Sequence, residues 1–109
     1  DWKTSNGRGW SLDKQRDFNT QAQVILYKYF WGTKNDITLK DIQCGFVLLK
    51  KVKTINKSCQ LIKVSSGPKG LEKAQKMVRS MIKTVEKRMF LKNRNSCMFC
   101  EFKNTEYCK

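Results

Sequence analysis

The sequence predicts an all-α fold: a small bundle of about three helices with a cysteine-rich, disulfide-linked C-terminal tail. Three observations lead there. Leu71, Ala74, Val78, Met81, Val85 and Met89 recur at spacings of three and four, which keeps them on one side of a 3.6-residue period. Leu39, Ile42, Phe46, Leu49 and Val52 repeat a similar spacing upstream. Five cysteines, Cys44, Cys59, Cys97, Cys100 and Cys108, are dense for 109 residues, as expected where a small core needs crosslinks.

Taken in order, residues 1–18 are polar, carry Gly7 and Gly9, and read as a flexible N-terminal arm. Residues 19–109 read as one helical domain with a pinned tail. Over residues 20–31 the run Val24, Ile25, Leu26, Tyr27, Tyr29, Phe30 and Trp31 is apolar nearly all round, which suits a buried helix. A central strand is its competitor. Gly32 and Asn35-Asp36 would stop the helix.

A second helix is expected over residues 38–53, opened by Thr38 with Asp41 three positions on. A strand through Ile42, Cys44, Phe46 and Leu48 leaves Leu39, Leu49 and Val52 unexplained, so the helical template is preferred. Ile55, Cys59 and Ile62 continue helical spacing past Asn56, while residues 59–64 also suit an extended chain. The break Ser65-Ser66-Gly67-Pro68-Lys69-Gly70 holds the sole proline, which ends one element and opens the next. The helix that follows has Glu72 near its start and Arg88 and Lys92 near its end, in the sense the helix dipole favours. Lys69, Lys73, Lys76, Lys83 and Lys87 fall opposite its apolar stripe, and that stripe is expected to be core.

Charge constrains function more than any motif. Lysine and arginine number 23 against 9 acids, giving a net charge of +14, with no histidine. No acid occurs between Ile42 and Leu71, where Lys50, Lys51, Lys53, Lys57, Lys63 and Lys69 accumulate. Such imbalance repels itself, so an acidic partner or crosslinks must offset it. The expected partners are an acidic receptor surface or an anionic membrane. The binding face is placed on Lys69, Lys73, Lys76, Lys83 and Lys87, with Lys50, Lys51 and Lys53 adding to it. Met77, Met81 and Met89 would enter a bilayer only if left exposed.

Other classes find less support. Tyr27, Tyr29, Phe30 and Trp31 could stack on bases, but lysine far outnumbers arginine and no specific nucleic-acid reading motif is present. Catalysis is not expected: the usual general base is missing, and there is no glycine-rich phosphate loop or serine elbow. Cys97-x-x-Cys100 with Cys108 would need Cys44 or Cys59 to complete a zinc site. The plainer reading is two disulfides of open connectivity and one spare thiol, free or pairing two chains. No cofactor or metal is expected. No apolar run approaches a membrane span. The cysteines, the start at Asp1 rather than methionine, and the acceptor pattern Asn56-Lys57-Ser58 favour a secreted, extracellular protein.

The segment Leu39-Lys40-Asp41-Ile42-Gln43-Cys44, the later Cys59 and the lysine-rich helix after it resemble the rodent exocrine-gland-secreted peptide family, over residues 19–91. The resemblance implies an extracellular helical peptide of gland fluids, with pheromone-type receptor signalling for some members. The Cys97-x-x-Cys100 tail departs from it, and it assigns no receptor contact. The resulting expectation is a secreted signalling peptide acting through its basic helix face. An antimicrobial protein that perturbs anionic membranes is the alternative, and a nonspecific nucleic-acid or polyanion binder the third.

Overall fold

The computed structural model describes residues 1–54, 57–89 and 94–108. Its fold is mixed α/β, which corrects the all-α expectation. The order is β1 (Trp2–Ser5), α1 (Leu12–Arg16), α2 (Phe18–Lys34), β2 (Cys44–Lys50), β3 (Cys59–Val64) and α3 (Pro68–Glu86). Short 3-10 helices lie at Leu39–Asp41, Arg94–Phe99 and Glu106–Cys108. The strands form one sheet in the order β1-β2-β3, with β1 parallel and β3 antiparallel to the central β2.

The helix expected over residues 38–53 is therefore a 3-10 turn followed by a strand. Along β2 Phe46 and Leu48 are buried while Leu49 is exposed, the period-two alternation of a strand with one covered face. The helical template counted Leu39, which lies in the turn, and Val52, which lies beyond the strand. Partner β3 alternates in the same way, burying Ile62 and Val64. Gly45 is required by the close approach of these strands. A Cβ there would run into the Ile62 carbonyl oxygen and come within 3.2 Å of Lys63 Cα, both backbone atoms that cannot yield.

Residues 1–18 carry β1 and α1. The Asp1 backbone nitrogen donates to the Gly45 carbonyl at 2.9 Å, and β1 then pairs Trp2 through Ser5 with Val47 through Lys50. Gly9 has φ +77, a value glycine adopts without strain, in the turn closed by its N–H to the Asn6 carbonyl.

Helix α2 is capped by Asp17, whose carboxylate accepts from the backbone N–H groups of Asn19 and Thr20 and from the Thr20 hydroxyl. It ends where Asp36 turns left-handed and the Ile37 N–H reaches back to the Gly32 carbonyl, a Schellman closure. The helix is buried on one side only. Ala22, Val24 and Ile25 face the core, whereas Tyr27, Phe30 and Trp31 are exposed.

The chain divides into two compact units, Asp1–Met77 and Val78–Lys109, so the boundary falls within α3. The first unit holds the core: Val24, Ile25, Phe46, Leu48, Ile62, Val64 and Ala74, with Trp10, Phe18, Leu26, Cys44 and Leu71 packed against it. Trp10 sits on Phe46 with ring centroids 5.0 Å apart. Each large core side chain contributes about 1.5–3 kcal/mol by leaving water. The other face of the sheet leaves Trp2, Leu49 and Leu61 exposed.

The second unit has no comparable core among its described residues. Met81, Ile82, Val85, Met89, Met98, Phe99, Phe102 and Tyr107 are all exposed. The stripe expected to be core is thus covered at Leu71 and Ala74 and uncovered from Met81 onward. Helix α3 begins at Pro68, so Glu72 lies beyond its first turn. It closes with Arg88 in the left-handed region and the Met89 N–H on the Thr84 carbonyl.

The disulfide-linked expectation is also corrected: all five cysteines are free thiols. For Cys44 and Cys59 the sheet gives the reason. Cys44 pairs with Val64, whereas Cys59 pairs with Leu49, five positions along β2. That offset is about 16 Å of strand and an odd number of residues, so the two thiols lie far apart and on opposite faces. Asn56, the expected glycosylation acceptor, lies outside the described residues.

Candidate functional site

Three elements of the first unit converge beside the end of the sheet where β2 begins and β3 finishes. Helix α2 brings Lys28, which follows the buried Val24 and Ile25 by four and three residues and so stands above the core face. Its stem is half-buried, and its ammonium donates to the Ser66 hydroxyl at 2.9 Å. The 3-10 turn Leu39–Asp41 brings Lys40, and β3 brings Lys63 between the buried Ile62 and Val64.

Lys28, Lys40 and Lys63 line one cleft of about 480 Å³ together with Cys44, Ser65 and Ser66. A second hollow of about 310 Å³ is walled by Ile25, Leu39, Pro68 and Leu71, and shares Lys28, Lys40 and Ser66 with the first. No carboxylate lines either space among the described residues. Lys3 pairs with Asp1 at 3.0 Å, outside this cleft. Three lysines bordering one cleft raise its positive potential, which favours an anion placed there. Hydroxyls at Ser65 and Ser66 add neutral donors. On the cleft wall the Cys44 thiol lies 3.8 Å from the Val64 carbonyl.

The lysines expected to form the binding face are distributed differently. Lys69, Lys73 and Lys76 are exposed on the first-unit part of α3, and Lys83 and Lys87 belong to the second unit. The Lys73 ammonium stands 4.1 Å from the centre of the Phe18 ring, so it is held as a cation–π partner. Lys50 ends β2 with Lys51 and Lys53 just after it, some six residues or about 20 Å along the strand from Cys44. Within the first unit, Lys50, Lys51, Lys53, Lys69, Lys73 and Lys76 are not among the residues lining the cleft.

The thiols do not assemble a metal centre: no group of three or more cysteine or acidic residues is placed to hold an ion among the described residues. Cys59 is exposed, and Cys97 and Cys100 sit at one 3-10 helix and its end. The Asp17 carboxyl is held below the ordinary aspartate range, chiefly by the Thr20 hydroxyl and then by the Thr20 backbone N–H. No described helix is long and apolar enough to cross a membrane.

Lys28 and Lys40 lie outside the binding face that the sequence predicts. The available signal was the acid-free stretch from Ile42 to Leu71, which contains Lys63, Ser65 and Ser66. No family model matches this chain, and no curated protein or solved structure matches it significantly.

Proposed function

We propose that this chain is a non-catalytic binding protein whose ligand presents an anionic group to the cleft between Lys28, Lys40 and Lys63. The observation that carries the proposal is convergence: lysines from a helix, a turn and a strand line one space in which no carboxylate neutralises them among the described residues. A net charge of +14 adds long-range attraction for an acidic partner, and the chain's lack of histidine weighs against acid–base chemistry at the same place. Charge on the helix face then steers, and the cleft selects.

The test uses two charge-matched triple variants and inorganic pyrophosphate as the probe, followed by calorimetry at physiological ionic strength. Lys28, Lys40 and Lys63 all changed to Gln should weaken binding by more than about thirtyfold, since each charged hydrogen bond contributes about 1.5 kcal/mol or more. Lys69, Lys73 and Lys76 changed to Gln should weaken it by less than about threefold, the scale of screened surface charge. Equal losses in the two variants would refute a discrete site.

A second reading concerns the second unit, where Met81, Ile82, Val85 and Met89 are exposed alongside Lys83, Lys87 and Arg88. That combination suits interfacial attachment to anionic lipid. Met81→Glu with Val85→Glu should then abolish sedimentation with phosphatidylglycerol vesicles and leave pyrophosphate binding unchanged.

A further inference from the structure

We infer that the cleft takes a small anionic amphiphile, its acid group on Lys28, Lys40 and Lys63 and its apolar body in the adjoining hollow of Ile25, Leu39, Pro68 and Leu71. This rests on the proposal above that the lysines receive an anion. What it adds is the second half of the ligand. The hollow is about 310 Å³, at the lower end of the size range of small-molecule sites. Its walls come from side chains at the margin of the core, because Ile25 is buried and Leu71 packs against the core. Water in such a space has few partners, so a hydrocarbon that displaces it gains affinity.

Charge placement fixes which amphiphile. Lys28, Lys40 and Ser66 belong to both walls, so the polar and apolar spaces meet at cationic and hydroxyl groups. A neutral apolar guest would leave those ammonium groups without a counter-charge at its end. A bare anion would leave the Ile25–Leu71 hollow to water. A single-chain carboxylate satisfies both spaces at once, with its head where they join. Lys28 is already oriented for this by its 2.9 Å hydrogen bond to Ser66, and the headgroup accepts from the same ammonium. The size of the hollow selects a short chain in monomeric form rather than a lipid within a bilayer.

The experiment is a chain-length series on the intact protein: acetate, butyrate, hexanoate and octanoate, with 1-octanol and inorganic pyrophosphate as companions. Each buried methylene should strengthen binding by up to about fourfold, and octanoate should bind at least about thirtyfold tighter than butyrate. Lys28→Gln with Lys40→Gln should remove most of the octanoate affinity, and 1-octanol should bind at least about tenfold more weakly than octanoate. Leu71→Ala should flatten the chain-length dependence while pyrophosphate binding persists, which also shows that the variant is folded. Carboxylates that bind through the lysines with no dependence on chain length would overturn the amphiphile and leave the anion site standing. Octanol binding equal to octanoate would overturn it too. Failure of pyrophosphate and every carboxylate to bind would remove the anion site itself, and the amphiphile with it.

Discussion

Two groups of lysines in this chain carry the same charge and differ in geometry. Lys28, Lys40 and Lys63 come from three elements and line one volume, whereas Lys69, Lys73 and Lys76 lie along one helix, with the Lys73 ammonium on the Phe18 ring. Helical spacing spreads charges along an axis and around a cylinder, so the ammonium groups do not share one space. Convergence from separate elements is what concentrates potential at a point. Counting lysines in a sequence ranks the helix first; placing them in the fold ranks the cleft first.

The largest expected effect comes from reversing one charge in each group. Lys63→Glu should weaken pyrophosphate binding by about a hundredfold, through loss of a charged donor and addition of a repelling carboxylate. Lys76→Glu should change it by about threefold at most and lose even that at high salt. Calorimetry at low and physiological ionic strength separates the two. Comparable effects would collapse the distinction between converging and dispersed lysines.

A smaller effect tests the scaffold that holds Lys28 in place. Asp17 caps α2, and hydrogen bonds from Thr20 and Asn19 keep its carboxyl below the ordinary aspartate range. A depressed folded value means that the charge stabilises the fold above the unfolded-state value, and that this contribution is lost as pH falls through the folded one. Asp17→Asn, which keeps a capping oxygen but not the charge, should therefore lower Tm slightly at neutral pH. The gap to wild type should close in acid. A gap that persisted below both values would mean the charge is not what stabilises α2.

The smallest expected effect is at Lys73, whose ammonium rests on the Phe18 ring. Lys73→Gln should reduce stability by about 0.5–1 kcal/mol and leave anion affinity within twofold or so, as measured by urea unfolding and calorimetry. The reverse pattern would move Lys73 into the binding group and blur the comparison.

The same contrast governs how much of the molecule was legible in the sequence. Helix α3 announces itself locally, since Leu71 and Ala74 open a stripe set by spacing within one segment, whereas the apolar run of α2 leaves a strand as competitor. Strand β2 does not. Its alternation of Phe46 and Leu48 against Val47 and Leu49 competes with a helical spacing through the same residues, and what decides is pairing with Leu61 and Ile62 on β3, many residues later. The fold class depends on that pairing. Cysteine density suggested crosslinks, but the register that separates Cys44 from Cys59 exists only in the paired sheet. The cleft was illegible for the same reason: positions 28, 40 and 63 share no period, and only the folding of α2, the turn and β3 onto one end of the sheet brings them together. The apolar stripe of α3 is core at Leu71 and Ala74 and exposed from Met81 onward, because spacing reveals a face but not what covers it.

The most direct test of the central claim is a two-dimensional amide NMR titration of the ¹⁵N-labelled protein with inorganic pyrophosphate at physiological salt. Saturable shifts concentrated at Lys28, Lys40, Lys63, Ser65 and Ser66 are the predicted result. Non-saturating shifts spread over Lys50, Lys51, Lys53, Lys69, Lys73 and Lys76 would contradict the account, and would show a charged surface with no site.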